Sequence, residues 1–239
     1  MNSSRNMSGR TAVITGGSSG IGESIAYRFA SEGANVVVAS RSLERCQAVA
    51  TTIRSEGGAA VAIACDVTDE EATISLFDRT IEEFGRVDVV VASAGISGGN
   101  MPLEDYPLTD WNRIIQTNLT GAFLTAREAF RRMKGHGGHI IVISSQAGIE
   151  GYAQKGVYCA SKFGVRGMAH VLGEEGRRYN INVSALCPGT AQTPILAATG
   201  TAVQAPLSLD ALADAAVFLA NLRGNSLIRD ILLERMDQS

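Results

Sequence analysis

Short apolar runs alternate along this chain with longer segments in which apolar residues return every three or four positions. The β-branched, apolar runs are Thr11–Thr15, Asn35–Ala39, Ala59–Cys65, Val87–Ala92, His139–Ser144, Ile181–Cys187 and the fainter Leu227–Leu233. They are apolar nearly end to end instead of alternating with polar residues, as parallel strands covered on both faces must be. Between them Ile21, Ile25 and Phe29 mark one face of a helix, with Gly33 as its stop. Thr68-x-x-Glu71 reads as a capping box. A helix from about Thr109 to Lys134 has Trp111, Ile114, Ile115 and Ala122 on its apolar face. Repeated β and α units of this length predict an α/β fold: one doubly wound parallel sheet of about seven strands flanked by helices. No linker, composition break or internal repeat divides residues 1–239, so a single domain is expected.

Composition narrows the function. With 45% hydrophobic and 19% charged residues the chain buries a core and is not disordered. Lys and Arg number 21 against 24 Asp and Glu, a net charge of −3 that argues against nucleic-acid binding. Cys46, Cys65, Cys159 and Cys187 are spaced for neither a disulfide scaffold nor zinc. His136 and His139, in H-G-G-H, have no supporting ligand cluster, so no metal is expected. The segment Met1–Arg10 is polar, and the uncharged stretch Tyr179–Leu209 is interrupted by Pro188, Pro194 and Pro206. No signal peptide and no membrane span are read there, which implies a cytoplasmic protein.

Candidate chemistry starts where the first strand ends, at Thr15-Gly16-Gly17-Ser18-Ser19-Gly20-Ile21-Gly22. In a strand–turn–helix frame, Gly16 and Gly20 let the backbone approach a pyrophosphate, with Ser18, Ser19, Ile21 and the amides of the helix N-terminus around it. Gly22 removes a Cβ where the helix packs on the sheet. The second strand ends Ala39-Ser40-Arg41-Ser42, with no acid before Glu44 to hold a ribose hydroxyl. Arg41 can pair with a 2′-phosphate while Ser40 and Ser42 donate, so NADP(H) is expected in preference to NAD(H), the alternative.

Tyr158-x-x-x-Lys162 puts a phenol and an ammonium one helical turn apart. A fixed cation favours phenolate and draws the tyrosine down from about 10 toward the range useful for proton transfer. Ser145 lies thirteen residues upstream, beyond the strand His139–Ser144, at the end where doubly wound sheets bind ligands. Ser144 reads as a strand residue.

With T-G-x-x-x-G-x-G, Ser145 and Tyr158-x-x-x-Lys162, the chain resembles the short-chain dehydrogenase/reductase family over roughly residues 10–195. The resemblance implies a Rossmann fold and a catalytic set of Asn118, Ser145, Tyr158 and Lys162. In it Tyr158 exchanges the substrate proton and Ser145 orients the substrate oxygen. Lys162 binds the nicotinamide ribose and lowers Tyr158, while Asn118, in N-x-x-G, bends its helix and holds a water linked to Lys162. It also implies an adenine contact at Asp66 and Val67, and further cofactor contacts at Ser93-Ala94-Gly95, where the family has N-A-G. Pro188, Gly189 and Thr193 stand where the family meets the nicotinamide amide. The implied reaction is NADPH-linked reduction of a small-molecule carbonyl, or its reverse. Alternatives are an NAD-linked alcohol, polyol or steroid dehydrogenase, a 3-oxoacyl thioester reductase, and a cofactor-sensing protein without turnover. The last is disfavoured because a pure binder needs no proton donor.

Three further expectations follow. Arg127, Arg131, Arg132 and Lys134 crowd a helix end, read as a solvated terminus in favour with the dipole. The less favoured reading is a docking patch for an acidic acyl carrier protein. Gly164, Gly167, Gly173 and Gly176 suggest that another backbone approaches the Tyr158 helix, the family's interface helix, and so a homodimer or homotetramer. Finally, the substrate-lid segment at about 190–207 and the loop Gln146–Tyr152 contribute one acid and no base. Neutral carbonyls with an apolar body are therefore expected over keto acids and sugar phosphates.

Overall fold

Each apolar run is a strand of one all-parallel sheet. The computed structural model describes residues 7–197, 206–222 and 226–236. Its strands are β1 (Thr11–Thr15), β2 (Asn35–Ser40), β3 (Ala59–Ala64), β4 (Val89–Ala92), β5 (Gly138–Ile143), β6 (Ile181–Pro188) and β7 (Asp230–Leu233), in the order β3-β2-β1-β4-β5-β6-β7. The helices are α1 (Gly20–Ser31), α2 (Leu43–Ser55), α3 (Glu70–Phe84), α4 (Leu108–Ile115), α5 (Gly121–Met133), α6 (Gly156–Gly176), α7 (Pro194–Ala197) and α8 (Leu209–Ala220). Of the lid segment, residues 198–205 lie outside the described residues.

The central strands lack a polar face because both faces are covered. Ile14, Val36, Val38, Val91 and Ile141 pack under α1, α2 and α8. The intervening Val13, Val37, Val90, Ile140 and Val142 pack under α3, α5 and α6. Each such buried aliphatic contributes about 1.5–3 kcal/mol. From β1 the chain builds outward to β3 and then crosses to β4 on the other side of β1. That reversal opens a crevice at the carboxyl ends of β1 and β4, the general ligand position of such sheets. No helix among the described residues is long and apolar enough to cross a membrane.

Several local expectations are corrected. Thr68 does not cap α3; its amide and hydroxyl both donate to Asp66 Oδ1, at 3.0 and 2.8 Å. The cap is Asp69, which accepts from the Ala72 amide. The arginines at the end of α5 are also not a bare terminus. Arg131 and Arg132 flank Glu128, which is 3% exposed, while Arg127 and Arg132 reach Glu70 and Asp78 on α3. A carboxylate that deep needs such partners; of the cluster that suggested a carrier-protein patch, Arg127 and Arg132 tie α5 to α3, while Arg131 pairs with Glu128 inside α5.

The glycines of α6 have mostly intramolecular reasons. A Cβ on Gly176 would sit 2.3 Å from the Ile181 carbonyl oxygen, and one on Gly164 would sit 2.9 Å from the Leu119 side chain. Gly173 lies against Val183, and only Gly167 of the four faces open space. His139 is buried on Ser184 Oγ at 3.1 Å, and burial pushes its pKa down to about 3. His136 is bonded to the Val87 carbonyl oxygen. Cys46, Cys65, Cys159 and Cys187 are all free and buried.

Candidate active site

The carboxyl ends of β1, β4, β5 and β6 open into one cavity of about 800 Å³. Every cofactor or catalytic candidate read from the sequence lines it except Gly22 and Asn118, which stand behind its wall.

The glycine loop forms the first side. Gly16 has φ +68°, and a Cβ there would meet the Ala94 amide nitrogen at 2.7 Å. The loop thus lies directly against Ser93-Ala94-Gly95, which follows β4. Gly22 is bare for a different reason from the one expected: its Cβ would strike the Gly16 carbonyl oxygen at 2.4 Å, so the helix packs on its own loop. Ser19 is the N-cap of α1 but makes no side-chain capping bond, which leaves its hydroxyl and the first helical amides for a ligand. A loop in which Gly16 and Gly22 admit no Cβ, at a helix N-terminus, fits a dinucleotide pyrophosphate.

At the end of β2, Ser40 Oγ is occupied by the Ser42 carbonyl oxygen and Cys46 Sγ, at 3.3 and 3.1 Å. Ser42 caps α2 by accepting from the Arg45 amide. Arg41 lines the cavity as expected, and so does Arg45, which the sequence reading missed. Its position, four residues past Arg41 at the start of a helix, was the available signal. Asp66 also lines the cavity, and the Thr68 amide holds its carboxyl below the usual range. Gly121 explains the last letter of N-x-x-G, since a Cβ there would lie 2.6 Å from Val67 Cγ2.

The second side brings the catalytic candidates together. Ser145 follows β5, accepts from the Ala147 amide at 3.1 Å and donates to the Pro188 carbonyl oxygen at 3.5 Å. Tyr158 and Lys162 face the cavity from α6, with the ammonium 5.6 Å from the ring centroid. Lys162 Nζ donates to the Ile143 carbonyl oxygen at 2.8 Å. Ser144 lies just past β5 and is structural, its hydroxyl donating to the Lys162 carbonyl oxygen. A Cβ on Gly148 would meet that same carbonyl at 2.7 Å, so the loop after Ser145 is pressed onto α6.

Asn118 sits in a π-turn (Gln116–Thr120) that joins α4 to α5. Its amide donates to the Ile96 carbonyl oxygen and to Ser161 Oγ, and its Oδ1 accepts from the Ile96 amide at 2.8 Å. It pins the loop after β4 to α6. Thr193 lies beside Gly20 and accepts from the Leu196 amide.

The electrostatics differ from expectation at one point. Burial raises Tyr158 above its ordinary value; the Ser145 hydroxyl opposes this without reversing it. The neighbouring cation was expected to bring it down, but Lys162 is bound to a backbone carbonyl and is itself pushed down to about 8 by burial. Among the described residues, five cationic side chains (Arg41, Arg45, Arg113, Lys155 and Lys162) and one carboxylate, Asp66, line the cavity of a chain whose net charge is −3. The concentration of positive charge suits an anionic ligand.

Comparison with known proteins agrees with this geometry. The family model for short chain dehydrogenases matches residues 10–204. The cis-4-hydroxycyclohexanecarboxylate dehydrogenase of Sinomonas cyclohexanicum is 35% identical over 234 residues, covering 93% of this chain and 94% of that protein. A short-chain type dehydrogenase/reductase from Mycobacterium marinum superposes with a TM-score of 0.89 at 31% identity, covering 97% of this chain and 96% of that one. A metagenomic short-chain oxidoreductase in complex with NADP gives 0.85 at 32% identity, covering 98% and 100%. Parallel sheet, glycine cradle and the Ser145–Tyr158–Lys162 cluster all occur within one matched segment, and the chain belongs to the short chain dehydrogenase family.

Proposed function

We propose that the protein is an NADPH-dependent enzyme that reduces a carbonyl to an alcohol or runs the reverse oxidation. The observation that carries this reading is that Ser145, Tyr158 and Lys162 share one cavity with a glycine cradle and a surplus of cations. Gly16, Ser18, Ser19, Gly20 and Ile21 would hold the pyrophosphate, and Arg41 with Arg45 the 2′-phosphate. Asp66 and Val67 would meet the adenine, and Ser93-Ala94-Gly95 the neighbouring ribose. Lys162 would bind the nicotinamide ribose, and Pro188, Gly189 and Thr193 the nicotinamide amide. When bound, NADPH supplies the hydride.

The protein supplies the proton and the alignment. Ser145 donates a hydrogen bond to the substrate oxygen and fixes its distance from Tyr158. Tyr158, neutral at pH 7 with a pKa that desolvation raises further above its ordinary value, gives its phenolic proton to that oxygen as negative charge develops there. Lys162 stabilises the phenolate left behind, and Asn118 holds the Ile96 loop against α6 so that the wall keeps its shape. The relative from S. cyclohexanicum, named for a secondary ring alcohol, and the NADP-bound neighbour support this reaction and cofactor.

The test is cofactor absorbance with a panel of aldehydes and ketones. NADPH is expected to be used in preference to NADH, and Arg41→Ala to lower kcat/KM for NADPH at least ~10-fold while sparing NADH, the value of one charge-assisted hydrogen bond to phosphate. Equal or better turnover with NADH, or an unchanged preference in the variant, rejects the NADPH assignment. Absence of turnover with either cofactor across the panel rejects the reductase reading.

A second copy of the chain is the proposed partner. Phe123 on α5 and Phe163 and Val171 on α6 are exposed at 42%, 43% and 58%, beside the open Gly167. Such apolar side chains on adjoining helices suit a homodimer or homotetramer. Light scattering at micromolar concentration that returned the 25.1 kDa of one chain would reject it.

A further inference from the structure

The expectation of a neutral substrate rested on two segments that supply no base, Gln146–Tyr152 and the lid. The structure adds a third segment to the same wall. Lys155, three residues before Tyr158, lines the cavity with Tyr152 and Ala153. Its carbonyl oxygen accepts from the Cys159 amide at 2.8 Å, which ties it to the first turn of α6.

Three observations bear on what Lys155 does. First, the backbone is set for it: Gln154 has φ +64°, one of two such non-glycine residues among those described, and its carbonyl oxygen accepts from the Met101 amide at 3.1 Å. A left-handed residue of this kind costs about 1–2 kcal/mol and persists where neighbouring contacts fix it. Second, no carboxylate among the described residues pairs with the Lys155 ammonium. The undescribed lid stretch 198–205 contains no acid. The acids of the neighbouring rim, Glu150 and Glu234, are exposed and engaged by Gln146 and Tyr152. Third, a cation at a helix N-terminus is disfavoured by the dipole, so the fold gains nothing from its charge. Of the other cations lining the cavity, Arg113 pairs with Asp110 and Lys162 is bound within the catalytic cluster, while Arg41 and Arg45 stand at the end of β2, where the 2′-phosphate is proposed to lie.

We infer that Lys155 is a specificity residue that selects carbonyl substrates carrying a carboxylate away from the reacting carbon. The inference rests on the reductase reading and names its substrate class. A half-buried lysine that no carboxylate among the described residues neutralises, on the cavity wall beside Tyr158, is the group that a desolvated carboxylate requires. Lys155 is a binding group; it takes no part in proton transfer.

The test compares 4-acetylbenzoate with its methyl ester, which keeps the skeleton and removes the charge; the ester withdraws electrons more strongly and makes its ketone the more reactive, so the electronic bias runs against the expected result. The acid is expected to exceed the ester at least tenfold in kcat/KM at low ionic strength, with the ratio falling as salt rises. Lys155→Gln should remove that advantage through the KM of the acid, leaving kcat, the ester and the KM for NADPH unchanged. Lys155→Arg should keep most of it. The melting temperature of Lys155→Gln should not fall, since no folded-state partner is lost. Equal use of acid and ester by the wild type, equal loss of both in Lys155→Gln, or a raised KM for NADPH would overturn the inference; the last would make Lys155 a cofactor contact. Calorimetric binding of the two compounds in the presence of NADP+ separates this from the reductase reading. Binding of the acid that depends on Lys155, without turnover, keeps the anion site and rejects the reductase. Binding that does not depend on it rejects the anion site.

Discussion

Tyr158→Phe is expected to lower kcat by at least ~10²-fold in both directions, with the KM for NADPH close to that of the wild type. The variant keeps the aromatic ring and its packing in α6 and removes only the hydroxyl. No other side chain of the cluster can take its place as a proton donor at neutral pH. Ser145 titrates far too high, and Lys162 is turned to the Ile143 carbonyl oxygen. The raised pKa of Tyr158 gives the pH profile a direction. The proton is present throughout the neutral range, so carbonyl reduction should be flat there. Alcohol oxidation needs the phenolate and should climb as pH rises. Turnover by the Phe variant at the wild-type rate, or oxidation that slows on going from pH 7 to 9, would show that another group moves the proton. Far-UV circular dichroism of the variant should match the wild type, because the ring remains in place.

How much of this site could be read from sequence depended on whether a residue's reason was local. The seven strands were legible because a strand buried on both faces must be apolar throughout, and even β7 was found although only Asp230–Leu233 pairs. Gly16 was legible because a tight strand-to-helix turn has few solutions. Gly22 was assigned the right role with the wrong neighbour, since its contact is the Gly16 carbonyl oxygen and lies inside the loop. The α6 glycines suggested a partner backbone, but sequence cannot separate the approach of a second chain from that of β6, which Gly176 meets. Thr68 matched the capping pattern, and Asp66 drew its hydroxyl away. Lys155 and Arg45 escaped because their significance depends on what does not pair with them and on which wall they join. Both facts belong to the assembled fold. The sign of the Tyr158 shift escaped for the same reason: a cation one turn away is visible in sequence, whereas the burial of both groups is not.

Lys162→Met is expected to abolish most turnover while making the cofactor-free protein more stable. The two effects have one cause. Lys162 is 5% exposed, its ammonium reaches a carbonyl oxygen but no carboxylate among the described residues, and burial holds its pKa near 8 in the folded chain against about 10.5 when unfolded. Between those values the unfolded chain binds the proton and the folded one does not, so stability rises with pH across that window. Below pH 8 the penalty is fully present; a shift of this size corresponds to about 3 kcal/mol. Methionine has a similar length and no charge, so it escapes that penalty. It leaves the Ile143 carbonyl oxygen without its side-chain donor, which takes back about 1 kcal/mol. The net gain of about 2 kcal/mol corresponds to roughly 5 °C in Tm for a domain of this size. Thermal melts from pH 7 to 10.5 should show the gap widest at pH 7, closing near pH 10 and slightly reversed at pH 10.5, where the lost hydrogen bond outweighs the residual penalty. Saturating NADPH should narrow it at pH 7, because a ligand held by Lys162 stabilises the wild type more than the variant. Turnover should fall at least ~10²-fold, since the phenolate formed at Tyr158 loses its stabilising charge. A variant that melts below the wild type at pH 7, or a gap that does not change with pH, would show that the ammonium has a counter-charge in the folded chain.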